Sequence, residues 1–169
     1  MYACTTATVE ETQQLAATLV SLLCAGDVVV LNGDLGAGKT HFVQGAARAL
    51  GVEQPVTSPT FNILQVYPIL PHGKEAGCVA PGESAPSAIN HFDLYRLDEP
   101  GELDDIGYWE VLENGGVSFV EWGDKFPDEM PDDYLELQFT ADTAGVRTIA
   151  ARAHGLRSSQ LLDAWYTMT

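Results

Sequence analysis

Apolar positions change period several times along the chain, and each change marks an element. Leu15, Leu19, Leu22 and Leu23 recur at helical spacing, which predicts an amphipathic helix over residues 8–24. Thr8-Val9-Glu10-Glu11 opens it as a capping box, with Thr at N-cap and Glu at N3. Val28-Val29-Val30-Leu31 is an unbroken apolar run of strand length, the pattern of a strand covered on both faces. Residues 41–50 read as a second helix, closed by Gly51. Strands are predicted over 61–67, 88–95 and 117–122. Between the last two, Asp98-Glu99-Pro100 starts a helix that runs to about residue 113 and is broken by Asn114-Gly115-Gly116. Residues 134–139 alternate as a strand, Gly145 turns the chain, and 146–153 pair back as a hairpin. Ser158 is placed as the cap of a last helix, with Leu161, Leu162 and Trp165 on one face. Residues 68–87 hold few core positions and many prolines and glycines, and read as a long surface excursion.

The segment Gly33-Asp34-Leu35-Gly36-Ala37-Gly38-Lys39-Thr40 joins the first strand to the second helix and fits G-x-x-x-x-G-K-[ST], the P-loop pattern. A phosphate chain needs several inward-pointing backbone N–H groups, and glycines let the backbone approach that closely. The helix that follows adds partial positive charge at its N-terminus. In this pattern Lys39 reaches the β- and γ-phosphates and Thr40 ligates Mg²⁺. Strand, glycine loop and helix are the context the motif requires. The expected fold is therefore α/β: one domain over 1–169, a P-loop NTPase-like mixed, mainly parallel sheet flanked by helices, with a C-terminal β-hairpin.

Two further stretches carry candidate chemistry. Glu121 closes an apolar strand at its C-terminal end, where open α/β sheets place ligands. It reads as a second Mg²⁺ ligand, against the alternative of a surface acid. Trp122 beside it is either a shield for the site or core. Thr57-Ser58-Pro59-Thr60 is a short hydroxyl-bearing loop. It is either a switch that senses the γ-phosphate or an ordinary turn.

Charge excludes one class of function. The chain of 169 residues carries 24 acids against 8 bases, a net charge of −16. Nucleic-acid binding needs clustered bases to displace counterions. Here the bases are scattered, and Lys39 is committed to the P-loop. No apolar run approaches the ~20 residues that cross a membrane, and no basic-then-apolar N-terminal segment suggests a signal peptide. Cys4, Cys24 and Cys78 lack C-x-x-C spacing, imply neither metal nor disulfide, and fit a reducing cytoplasm.

Taken together, GDLGAGKT at 33–40, TSPTF at 57–61, HFDLYRL at 91–97 and VEW at 120–122 resemble, in this order, the TsaE family. The resemblance covers residues 8–147 and rests mainly on TSPTF and HFDLYRL. It implies a cytoplasmic ATPase that uses ATP and Mg²⁺, works with the partners TsaB and TsaD, and supports N6-threonylcarbamoylation of adenosine 37 in tRNA, meeting tRNA only through the complex. By position it implies Lys39, Asp93 and Glu121 as catalytic-site residues and Thr40 and Glu121 as metal ligands. Gly33, Asp34, Leu35, Gly36, Ala37, Gly38, Lys39 and Thr40 become the phosphate cradle, and Thr57, Ser58 and Thr60 the switch loop. Val9 and Gly145 fall on the adenine side. For Asp93 the competing reading is a buried acid bonded to its own surroundings. The chain departs from the family at His41, where a second Thr is usual, in the length of its excursion, and in a C-terminal helix that matches poorly.

Three other functions compete. A small-molecule kinase usually closes an arginine-bearing lid over the phosphates, and Arg48, Arg96, Arg147, Arg152 and Arg157 form no cluster in sequence. A regulatory GTPase reads guanine through N-K-x-D, which is absent. A nucleotide-gated scaffold that binds ATP without turnover fits the same motifs.

Overall fold

The computed structural model describes residues 2–70 and 82–169. Most of the excursion, with His72 and Cys78, lies outside them. Seven strands form one mixed sheet. They are β1 (Tyr2–Thr6), β2 (Val28–Gly33), β3 (Leu64–Pro68), β4 (Ala88–Asp93), β5 (Val117–Glu121), β6 (Leu135–Ala141) and β7 (Arg147–Ala153). Their order is β1-β7-β6-β2-β5-β4-β3. The β6–β2, β2–β5 and β5–β4 pairings at the centre are parallel, and the β1–β7, β7–β6 and β4–β3 pairings toward the edges are antiparallel. The hairpin expected at the C-terminal end is β6–β7.

The helices α1 (Val9–Val20), α2 (Lys39–Ala49) and α5 (Leu156–Tyr166) share one apolar cluster with Val29, Leu31, Phe119 and Leu137. The short helices α3 (Glu102–Asp105) and α4 (Tyr108–Leu112) pack with Val28, Val30 and Val120 on the opposite face. β2 therefore sends alternate side chains into two cores, which is why it reads as an apolar run without alternation.

Local details depart from the sequence reading where the backbone intervenes. Thr8 does cap α1, its Oγ1 accepting from the Glu11 amide at 3.1 Å, but the Glu11 carboxylate accepts from the Ala7 amide at 2.6 Å, one residue ahead of the cap. The helix expected from residue 98 begins at Glu102 and is split, because Gly107 sits in the left-handed region at φ 67°. The strand expected at 61–67 begins at Leu64, after a left-handed Ile63. Ser158 is not an N-cap. It lies in the first turn of α5, where its Oγ accepts from the His154 and Gly155 amides at 3.1 and 2.9 Å. The cap comes from the chain before β6, as the Asp133 carboxylate accepts from the Arg157 and Ser158 amides at 2.7 and 2.8 Å. β1 carries no strong sequence signal and forms because β7 offers it an edge. Cys24 is disulfide-bonded, which spacing along the sequence did not suggest because it carries no information about spatial approach. Cys4 is a free thiol.

Candidate nucleotide site

β2 ends at Gly33, whose position admits no side chain: a Cβ there would lie 2.2 Å from the Phe139 carbonyl oxygen. The loop then turns into α2 through Gly38, at φ 108° and with no side chain capping the helix. That geometry leaves the first N–H groups of α2 directed at the loop's concavity. A cavity of about 410 Å³ opens there, lined by the loop, the start of α2, Ser58, Thr60 and the ends of β4 and β5. This is the edge of the sheet formed by the carboxyl ends of its parallel strands, the expected ligand position.

Register explains which side chains meet. Asp93 on β4 is paired with Glu121 on β5, and alternation places both on the α2 side of the sheet. Both are buried, each 3 % exposed. Thr40 Oγ1 donates to Glu121 Oε1 at 2.9 Å. Two oxygen-bearing groups are thus in contact at the helix start, a donor set suited to a hard cation that arrives with phosphate oxygens. The absence of any side chain at Gly38, the uncapped helix and this oxygen pair fit a Mg²⁺–nucleotide.

Lys39 Nζ donates to the carbonyls of Gly33 at 2.5 Å and Asp34 at 2.9 Å, and lies 4.1 Å from the centre of the Trp122 ring. Burial holds its pKa below the ordinary lysine value, against the opposing pull of Glu121, Asp93, Asp124 and Asp34. Trp122 reaches this position from a left-handed backbone, φ 63°, which costs a non-glycine residue about 1–3 kcal/mol. The ring thus covers the lysine and also packs, partly buried, against the apolar cluster of Val30, Phe92 and Val120. Its ring also meets Tyr95, with centroids 5.0 Å apart.

Ser58 Oγ and Thr60 Oγ1 both donate to Asp93 Oδ2, at 2.7 and 3.0 Å, and the Tyr95 amide donates to Oδ1 at 3.0 Å. Asp93 is therefore bonded to its surroundings, and those surroundings are the hydroxyl loop itself. The structure brings Leu35, Gly36, Gly38, Lys39, Thr40, Ser58, Thr60, Asp93 and Glu121 to one cavity. Gly33, Asp34 and Ala37 belong to the loop without lining it. Thr57 is exposed, its amide donating to the Tyr67 hydroxyl at 3.4 Å. Val9 and Gly145 are not part of the cavity wall. Gly38 is bordered by Arg147, which pairs with Thr6 and whose Nε would lie 2.8 Å from a Cβ on Gly38.

Sequence reasoning passed over Gln44 and Tyr95, which also line the cavity, and His41, for which it assigned no role. The strand predicted over 88–95 stops short of Arg96. β4 ends at Asp93 instead, and the Arg96 guanidinium lies 4.2 Å from the centre of the Phe61 ring, at the end of the hydroxyl loop. Among the described residues no arginine lines the cavity.

Residues 6–149 match the family model described as the threonylcarbamoyl adenosine biosynthesis protein TsaE. The chain belongs to the TsaE family. The TsaE protein of Treponema pallidum is 34% identical over 146 residues, 86% of this chain and 96% of the relative. That of Bacillus subtilis is 33% identical over 156 residues, 91% and 87% of the two chains. That of Mycobacterium tuberculosis strain H37Rv is 38% identical over 136 residues, 77% and 73% of the two. The crystal structure of Bacillus subtilis YdiB superposes with a TM-score of 0.75 at 28% identity, covering 99% of this chain and 95% of that one. TsaE proteins take part in tRNA threonylcarbamoyladenosine biosynthesis, and this chain shares their fold. Among the described residues, no helix is long and apolar enough to cross a membrane.

Proposed function

We propose that this chain is the ATP-binding and ATP-hydrolysing subunit that supports threonylcarbamoylation of adenosine 37 in tRNA, acting in the cytoplasm with TsaB and TsaD. The observation that carries the reading is the meeting of Thr40 and Glu121 at 2.9 Å beside Lys39, at the mouth of an uncapped helix. In this reading the free N–H groups of α2 and the Lys39 ammonium hold the phosphates, Lys39 leaving the Gly33 and Asp34 carbonyls to do so. Thr40 and Glu121 hold Mg²⁺, which would neutralise the charge on the phosphate oxygens. Asp93 orients the attacking water when Ser58 and Thr60 turn from it toward the nucleotide.

Among the described residues, Lys39 is the one lysine or arginine on the cavity wall. Charge that builds on the γ-phosphoryl group needs another, and an arginine from a partner is worth ~10³–10⁵ in rate. The net charge of −16 suits docking on a more basic protein. Turnover is accordingly slow for the isolated chain and rises with TsaB and TsaD. Measuring ATP hydrolysis with and without those proteins tests this. A rate near ~10 s⁻¹ for the chain alone, unchanged by them, defeats the partner requirement. No hydrolysis in either case leaves the nucleotide-gated scaffold as the better reading.

A further inference from the structure

His91 lies on β4 two residues before Asp93, so alternation turns both toward α2. Its side chain is fully buried, at 0% exposure. Nε2 is 2.8 Å from Glu121 Oε1, the same oxygen that accepts from Thr40. Nδ1 is buried and has no hydrogen-bond partner among the described residues. The ring therefore has one polar contact, and that contact is the carboxylate of the candidate metal site. The carboxylate partner assigns a hydrogen to Nε2, which makes the contact a donor–acceptor pair, whereas a bare Nε2 would set its lone pair against the carboxylate. Packing alone would be met by an apolar side chain, without burying an imidazole nitrogen unpaired.

We propose that His91 is a positioning residue for the divalent-cation site. Its Nε2–H holds Glu121 Oε1 toward the protein and leaves Oε2, which has no donor among the described residues, for the cation. The inference rests on reading the cavity as a Mg²⁺–nucleotide site and adds the group that orients one of its ligands. His91 does not line the cavity, so it acts through Glu121 and not on the nucleotide. Partners of this kind, one bond removed from the metal, are worth about 10–100-fold in metal affinity.

The test uses the full chain with ADP and Mn²⁺, the bound metal being read by electron paramagnetic resonance. ADP affinity is measured separately in chelator. Three variants are compared with the parent. His91→Gln places an amide donor near the position of Nε2. His91→Asn stays polar but its amide matches Nδ1 and falls short of Glu121. His91→Leu removes the donor. All four proteins are expected to bind ADP equally in chelator, which also shows that they are folded. Mn²⁺ affinity of the ADP complex is expected to fall about 10–100-fold for Asn and Leu, and to stay within about threefold of the parent for Gln. If Leu does not fold, the Gln and Asn variants decide the matter between them. Mn²⁺ affinity equal to the parent's in Asn, or a loss in Gln as large as in Asn, overturns the His91 assignment alone. A parent whose ADP complex holds no Mn²⁺ overturns it together with the nucleotide-site reading.

Discussion

Ser58 Oγ donates to Asp93 Oδ2 at 2.7 Å, which latches the hydroxyl loop to the end of β4. Thr60 bonds the same oxygen at 3.0 Å. Hydrogen bonds to a charged acceptor are worth about 1.5–3 kcal/mol each, against about 1 for neutral pairs. Asp93→Asn keeps the shape and removes the charge. Amide hydrogen exchange across residues 57–61 is expected to accelerate about tenfold or more, while the exchange of β2 stays as it is. Unaltered exchange in the loop would mean that Asp93 does not hold it.

Lys39→Ala removes the charged donor that lies against the glycine loop. The dissociation constant for ATP is expected to rise about 10–150-fold, the equivalent of one charge-assisted bond. Calorimetric titration reads this directly, and equal affinities would falsify the P-loop assignment.

Glu121→Gln exchanges an anionic oxygen for an amide at nearly constant volume. The melting temperature is expected to change little, and the Mg²⁺ dependence of ATP hydrolysis to weaken or vanish. Overlapping Mg²⁺ titrations for variant and parent would show that Glu121 is not a ligand.

The Asp133 cap of α5 makes stability depend on acid. Burial pushes the Asp133 pKa up, but bonds from Ser158 and Arg157 and the charge of Arg157 pull it further down, leaving it below the ordinary carboxylate value. A depressed folded-state pKa means that the contribution is complete above the unfolded value near 3.9 and is lost as pH falls through the folded one. Asp133→Ala is expected to lower stability by about 0.5–2 kcal/mol in urea denaturation near neutral pH. The gap between the two proteins should close below about pH 4. A gap that stays constant into acid would assign the effect to packing.

The isolated chain is expected not to bind tRNA tightly. Its net charge of −16 repels phosphate, and of the five arginines, Arg157 is bound to Asp27 and Arg96 lies on Phe61. A mobility shift at sub-micromolar protein and physiological salt would contradict this.

The sequence alone determined the central strands, the main helices and the glycine loop between β2 and α2, and it carried no strong signal for β1. These are local properties: Val28 to Leu31 is apolar because both faces of one strand are covered, and Gly33 to Thr40 is a backbone shape written in glycines. Thr40 and Glu121, by contrast, stand 81 positions apart, and only the parallel register of β2, β5 and β4 brings them together with His91 and Asp93. Tertiary structure also decided that Trp122 covers Lys39, that Asp133 and not Ser158 caps α5, and that Arg96 joins the hydroxyl loop. Each outcome depends on where a strand stops or which loop passes a helix end. Such contacts are made between segments whose approach no periodicity encodes, so they become visible only when the sheet is assembled.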